Sequence, residues 1–290
     1  MKSLHGKTCS TAGIIGAGPA GLTAAIQLAR TGINAIVFES CRPGGLLHEA
    51  HCIENYPGFP GGIPGQRLAA LFDEQARKFQ VDIRCETVRN VRFDIHAGCF
   101  IISADTTVQV RYLIAASGTH PIPSPFPVSP ENNRVYRSVI PLRAFRGTHI
   151  GIIGGGDAAF DYALTLASGD NTVTILCRNH SPRCLPLLRD RVQNHPRITL
   201  RTGCPVSAVP SEFDAVLLAI GREPCDHFLD IDTALQANLQ QQNRLHFAGD
   251  IRNGQTRQCA IAAGDGLRAA MRIADAHRKS PLDDSEETDQ

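Results

Sequence analysis

The chain has 290 residues, a formal net charge of +1 and ten cysteines. That length suits two ordinary domains, each able to bury a core, and the near-neutral charge leaves no basis for nucleic acid or an acidic membrane surface as partner. No apolar run approaches the roughly 18 residues that a membrane-spanning helix needs. The first eight residues lack the apolar stretch of a secretion signal. The cysteines contain no C-x-x-C, so neither a zinc ribbon nor a disulfide framework is indicated. Reduced thiols in a cytoplasmic protein are the expectation.

An apolar strand over residues 12–15 stops at Gly16, and apolar residues at helical spacing (Leu22, Ala25, Ile26, Ala29) follow. Strand, G-x-G-x-x-G and helix form the dinucleotide fingerprint in its required context. Gly16 permits the tight turn, Gly18 lets backbone amides approach a pyrophosphate, and Gly21 lets helix pack on strand. Pro19 suits the first helical turn, which Ala20 continues. Amides and helix dipole at that N-terminus favour bound negative charge. A strand over residues 34–38 ends at Glu39, placed to hold a ribose hydroxyl. Alone, this unit fits NAD or FAD equally.

Residues 40–62 are rich in Gly and Pro and read as loop. An amphipathic helix carries Leu68, Leu71, Phe72, Ala76 and Phe79 on one stripe. Short strands over 81–84, 87–93, 100–104 and 108–111 read as an antiparallel meander laid on the first sheet. A buried strand over 112–118 follows, and the five prolines of the segment His120 to Pro130 mark a linker. The opening pattern then repeats at Gly154-Gly155-Gly156-Asp157-Ala158, with a helix through Phe160, Ala163, Leu164 and Ala167 and a strand over 172–176. This second unit has no acid at the end of its second strand but Arg178 and Arg183 instead, which suit a 2′-phosphate and favour NADPH over NADH. A further buried strand ends at Ile220-Gly221. Gly249-Asp250 lies at the end of a late strand, and a helix from Gln258 to about Ala274 closes the ordered chain. The acidic stretch 280–290 is expected to be disordered.

These residues together resemble the low-molecular-weight thioredoxin reductase family of flavoproteins. The resemblance runs from about Ala12 to Ala276. It is carried by Gly16-x-Gly18-x-x-Gly21 with Glu39, Gly44-Gly45-Leu46 with Glu54-Asn55-Tyr56-Pro57-Gly58, and Ala116-Ser117-Gly118-x-x-Pro121. The glycine loop at 154–159, Ala219-Ile220-Gly221-Arg222-x-Pro224 and Ala248-Gly249-Asp250 with Arg257-Gln258 complete it. It implies an α/β protein of two Rossmann-like three-layer domains, each with a small antiparallel meander. The implied division is an FAD domain over 1–117 and 245–279, with an NAD(P)H domain over 118–244 inserted between. By this likeness FAD lies along Gly16, Gly18, Pro19, Ala20, Gly21, Glu39, Gly45, Leu46, Asn55, Val88, Ser117, Gly118, Gly249, Asp250, Arg257, Gln258 and Cys259. Asn55 falls near the isoalloxazine, Asp250 on the ribityl chain, and residues 257–259 along the flavin ring. NADPH lies along Gly154, Gly155, Gly156, Asp157, Ala158, Arg178, Arg183, Ile220 and Gly221. A homodimer paired through the FAD domains is also implied.

The departures bear on the chemistry. The family carries a redox-active C-x-x-C shortly before the second glycine loop, at positions that fall here on Arg137 and Ile140. Without those sulfurs, dithiol exchange at that place is unavailable. Asn179 replaces one basic residue of the phosphate-binding tract. The loop by the flavin reads His48-Glu49-Ala50-His51-Cys52, where His48 and His51 are either proton donors or plain loop histidines. No set of His, Cys and acid shows metal-ligand spacing.

The leading expectation is an FAD-dependent NAD(P)H oxidoreductase that passes electrons to a small molecule or carrier other than thioredoxin. Alternatives are a ferredoxin- or flavodoxin-NADP reductase, an oxidase or dehydrogenase of a small metabolite, and a non-catalytic flavin-binding module.

Overall fold

The computed structural model describes residues 10–126 and 134–279. The tail over 280–290, the N-terminal stretch and part of the proline segment therefore lie outside the described residues. The chain divides into two compact units: unit 1 holds residues 1–45, 68–119 and 224–290, and unit 2 holds 46–67 and 120–223.

The chain opens with β1 (Ser10–Ile15), α1 (Pro19–Arg30) and β2 (Ala35–Phe38). β1 is a strand because Ala12, Ile14 and Ile15 are all buried, and α1 starts at Pro19, whose missing N–H would be unpaired there anyway. α2 (Gly65–Lys78) is the amphipathic helix expected from its stripe: Leu68, Ala69, Phe72 and Ala76 are buried. Then come β3 (Asp82–Arg84), β4 (Asn90–Asp94), β5 (Cys99–Ser103) and β6 (Thr107–Ala115).

Two expectations for this region change. β3 pairs in parallel with β2, extending the β1–β2 sheet rather than joining a meander. The strands expected over 108–111 and 112–118 are one strand, β6, because no glycine or proline interrupts them. β6 pairs antiparallel with β5 through its first half and parallel with β1 through its second. The meander β4–β5–β6 is thus continuous with the parallel sheet, in the order β3-β2-β1-β6-β5-β4.

A short strand, β7 (Thr119–Pro121), leads into unit 2: β8 (Val135–Tyr136), β9 (His149–Ile153), α3 (Asp157–Ala167), β10 (Thr172–Cys177), α4 (Pro186–Gln193), β11 (Ile198–Thr202) and β12 (Ala215–Leu218). Its sheet has the order β11-β10-β9-β12-β8, and every pairing within it is parallel. Phe160, Ala163 and Leu166 of α3 pack with Ile150, Ile152 and Leu217 of the sheet. The second meander is a correction: among the described residues unit 2 has none. The stretch between β11 and β12 contains Pro205 and Pro210, lacks strand alternation and is too short for three paired strands.

The chain returns through β13 (Arg222–Pro224), which pairs with β7, then α5 (Thr233–Gln241), β14 (Leu245–Phe247) and α6 (Cys259–Lys279). Residues 224–244, expected in the inserted domain, fall in unit 1. Phe228, Ile231 and Leu239 share its core with Val91, Phe100 and Ile102, and the Val91 amide donates to the Phe228 carbonyl at 2.7 Å. Residues 46–67, expected with the FAD half, fall in unit 2. β14 lies beside β6 in parallel, and α6 packs on α1 so closely that a Cβ at Gly266 would stand 2.0 Å from the Ala20 carbonyl oxygen. No described helix is long and apolar enough to cross a membrane.

His246 of β14 is a buried polar residue whose ring Nε2 donates to the Asn243 carbonyl. Burial lowers its pKa to about 4, with Arg272 and Arg252 adding to the shift. A histidine ordinarily titrates near 6.5, so the unfolded chain takes up this proton first and folding loses stability as the pH falls. The loss begins below pH 6.5 and is complete near pH 4, at about 3 kcal/mol for a shift of this size. Denaturant titrations of wild type and His246→Phe across pH 7 to 4 check this: the wild-type curve falls more steeply than that of the variant.

Candidate functional site

In unit 1, the turn after β1 is held by the Gly16 amide donating to the Phe38 carbonyl at 2.8 Å. Gly16 has φ +101°, and a Cβ there would lie 2.5 Å from the Ala116 carbonyl oxygen. A Cβ on Gly21 would lie 1.9 Å from the Gly16 oxygen. Gly18 is different: its Cβ would meet nothing within 4 Å. It is the N-cap of α1, and no side chain caps the helix. A helix start with unpaired amides, positive dipole and open space is an anion cradle, so this site fits a pyrophosphate.

Glu39 stands beside the cradle. Its Oε2 accepts from the Ala17 amide at 2.9 Å and its Oε1 from the Cys41 amide at 3.0 Å, which fixes the carboxylate at the end of β2. The Gly44 amide donates to the Ala17 carbonyl at 2.8 Å, and Gly45 approaches Gly18 so closely that a Cβ on it would lie 3.3 Å from the Gly18 Cα. Val88 follows β3 and packs partly on the unit 1 core. The Ser117 hydroxyl donates to the Cys225 carbonyl at 2.5 Å, and the Cys225 amide donates to the Gly118 carbonyl at 3.0 Å. Gly249, at φ +78°, places its amide on the Asp265 carboxylate and comes against Ala20 of α1. Asp250 follows in a short 3-10 turn. Cys259 begins α6, where burial and the Asp250 charge push its thiol up to about 12; it therefore stays protonated near neutral pH. Arg257 and Gln258 lead into that helix. Of the residues expected along FAD, only Leu46 and Asn55 fall outside unit 1.

Unit 2 repeats the cradle. A Cβ on Gly154 would lie 2.4 Å from the Ala219 carbonyl oxygen, and one on Gly155 2.4 Å from the Cys177 sulfur, whereas at Gly156 it would meet nothing within 4 Å. Gly156 is the N-cap of α3, again without a capping side chain. The loop after β10 folds back onto this turn: the Arg183 amide donates to the Gly155 carbonyl at 2.7 Å, and the Asp157 carboxylate accepts from the Leu185 amide at 2.8 Å. Arg178 and Arg183 are exposed at its edge, as is Ala158 of the first helical turn. Gly221, at φ +128°, accepts from the Ile122 amide through its carbonyl, next to half-buried Ile220. All nine residues expected along NADPH are thus in one unit.

His48 and His51 belong to the segment 46–67 of the same unit. The Arg143 guanidinium donates to the carbonyls of His48 at 2.7 Å, Glu49 at 3.0 Å and Ala50 at 3.4 Å. Buried Glu49 accepts from the Tyr162 hydroxyl at 2.5 Å. Burial, then the Glu49 charge, lifts the Tyr162 phenol well above its ordinary range, so it remains a donor. The Asp161 carboxylate accepts from the His51 amide at 2.8 Å, and burial raises its pKa above the usual carboxylate value. Glu54 pairs with Arg191 of α4 through two contacts at 2.6 and 2.9 Å, which lower its pKa. The Cys52 thiol is raised, first by burial and then by Glu54. His48 is half-buried and His51 exposed. Reading the sequence missed Arg143, Asp161, Tyr162 and Arg191. Their partners lie 93 to 137 positions away, and no local pattern marks such pairs. Arg137 and Ile140, where the resemblance would put two sulfurs, are exposed in the turn between β8 and a short 3-10 helix over 141–144. No group of acids, histidines and cysteines among the described residues could hold a metal ion.

A glycine cradle at a helix start beside parallel strands in each unit is the arrangement of a protein that binds two dinucleotides. The model of the pyridine nucleotide-disulphide oxidoreductase family matches residues 12–279, and the chain belongs to that family. It is an enzyme family whose thioredoxin reductase branch uses FAD and NADPH. The chain is 31% identical over 293 aligned residues to the bifunctional thioredoxin reductase/thioredoxin of Mycobacterium leprae, covering 89% of this chain but only 64% of that protein. It is 29% identical to the thioredoxin reductase of Mycolicibacterium smegmatis, covering 89% of this chain and 93% of that one. Among solved structures, Lactococcus lactis thioredoxin reductase superposes with a TM-score of 0.83 at 25% identity, over 93% of this chain and 99% of that one. The bacillithiol disulfide reductase Bdr of Bacillus cereus shares the fold at a TM-score of 0.69 and 21% identity, over 92% and 99% of the two chains.

Arg143→Ala removes a charged donor from three consecutive carbonyls, at a cost of about 2 kcal/mol. Hydrogen exchange checks it: amides over 48–52 exchange faster in the variant, while those of β1 and β6 do not change.

Proposed function

We propose that this protein is an NADPH-dependent FAD oxidoreductase that delivers electrons to an acceptor other than thioredoxin. The observation that carries this reading is the pairing of two open glycine cradles with Arg137 and Ile140 at the positions where the resembling family has its two sulfurs. When bound, NADPH and FAD would supply the hydride and electron chemistry. The chain's own work is binding, orientation and proton placement.

In unit 1, the α1 amides hold the pyrophosphate of FAD and Glu39 holds its ribose, a role supported by the fixed carboxylate geometry. Gly249 and Asp250 at the end of β14 serve the ribityl chain, and Arg257, Gln258 and Cys259 line the flavin. In unit 2, the α3 amides hold the second pyrophosphate. Arg178 and Arg183 hold the 2′-phosphate, supported by their exposure at the edge of the glycine turn and by the absence of an acid after β10. His51 serves as proton donor, with Asp161 as a positioning residue that grips its amide. The acceptor is a small molecule or an electron carrier. Cysteines among the described residues are all free, which supports a reducing compartment. Ile261, Leu267 and Met271 are exposed along α6, which supports a homodimer.

Anaerobic mixing with one equivalent of NADPH is expected to bleach the flavin band, faster than NADH does. In Arg178→Ala the NADPH advantage falls about tenfold, as loss of one charge-assisted phosphate contact implies. Thioredoxin gives no turnover. A flavin band unchanged by either nucleotide, or rapid reduction of thioredoxin, overturns the reading.

A further inference from the structure

Two cysteines that no nucleotide contact uses are brought together at the edge of unit 1. β2 and β3 run in parallel with Phe38 opposite Arg84, and the Glu39 amide donates to the Arg84 carbonyl at 2.9 Å. Just beyond this last pairing the two chains leave the sheet as loops, each carrying a cysteine. The Cys85 thiol donates to the Cys41 carbonyl at 3.4 Å, although 44 positions separate them. Among the described cysteines these two alone are exposed; every other one is half-buried or buried. Approach of the Cys85 thiol to the Cys41 main chain and access of both side chains, which thiol exchange requires, therefore coincide at this place.

We propose that Cys41 and Cys85 form a redox-closing dithiol whose oxidant is a low-molecular-weight disulfide. The Cys41 thiolate attacks one sulfur of the small disulfide. The sulfur–sulfur bond breaks, a mixed disulfide forms on Cys41, and the first small thiol leaves. The Cys85 thiolate then attacks the Cys41 sulfur, forms the Cys41–Cys85 bond and expels the second small thiol. The protein gives up two electrons and two protons, and the small disulfide gains them as two thiols.

The loop carrying Cys41 lies outside regular structure, so it can make the small adjustment that disulfide geometry demands. Its anchor is Glu39, whose Oε1 accepts the Cys41 amide while Oε2 accepts Ala17 of the glycine turn. Closure therefore acts on the loop that fixes the Glu39 carboxylate, the group that would hold the ribose of FAD. Its effect is on cofactor retention rather than on electron transfer, and this last point rests on the FAD reading above.

The test equilibrates the FAD-loaded protein with glutathione disulfide and maps its peptides without reduction. The expected result is a cross-link between the peptides holding Cys41 and Cys85, reversed by dithiothreitol. It comes with a melting temperature raised by several degrees, because the bond closes a long loop of the unfolded chain. Cys41→Ser and Cys85→Ser, both at exposed positions, instead keep a single glutathione on the remaining thiol and show no rise. Separate glutathione adducts on both cysteines, one uncrosslinked adduct, or no reaction overturns the proposal. Cross-link and melting point need neither nucleotide nor acceptor, so this proposal and the oxidoreductase reading fail independently. In the oxidised wild type, slower FAD release than in either serine variant carries the link between the two.

Discussion

A helix that begins without a side-chain cap leaves backbone amides unpaired, and both units of this protein are arranged around one. Gly18 and Gly156 occupy those caps with open space before them. Every neighbouring glycine is there for the opposite reason. Gly16, Gly21 and Gly154 sit where a Cβ would strike a carbonyl within 2.5 Å. The crowded glycines bring strand, turn and helix together, and the open ones leave room for phosphate. Amides at a helix start have no partner within the helix and take one from outside it, so the feature that leaves these turns without a side-chain cap makes each a place for an anion.

The glycine loops and the strand ends that flank them are readable in one dimension because their chemistry is local. Gly16 to Gly21 and Gly154 to Gly156 carry their own turn, helix start and contact distances within a few residues, and Glu39 and Arg178 follow at the end of the next strand. The long β6 is harder to read, since its two halves face different partners and only the assembled sheet shows that one strand serves both. The same applies to residues 224–244. Their place in unit 1 depends on Phe228, Ile231 and Leu239 finding the core around Val91 and Phe100, more than 100 positions away. Likeness to a family supplied a second meander in unit 2, where the described residues have only a short proline-containing stretch between β11 and β12.

The histidine-bearing segment shows where sequence reading stops. His48 and His51 attract attention as residue types, yet what distinguishes the segment is the set of groups that hold it: Arg143 on three carbonyls, Asp161 on an amide, Tyr162 on buried Glu49, and Arg191 on Glu54. None of these is a neighbour in sequence. Buried polar groups require partners, so Glu49 within an otherwise loop-like stretch is the one residue whose burial implies a distant donor.

That segment is gripped chiefly through its main chain. Arg143 and Asp161 bind carbonyls and an amide that any residue would offer, so these holds do not depend on which side chains stand at 48, 50 and 51. An exchange at exposed His51 leaves the Asp161 bond to its amide in place. The loop can thus change what it presents there while buried Glu49 stays held on Tyr162.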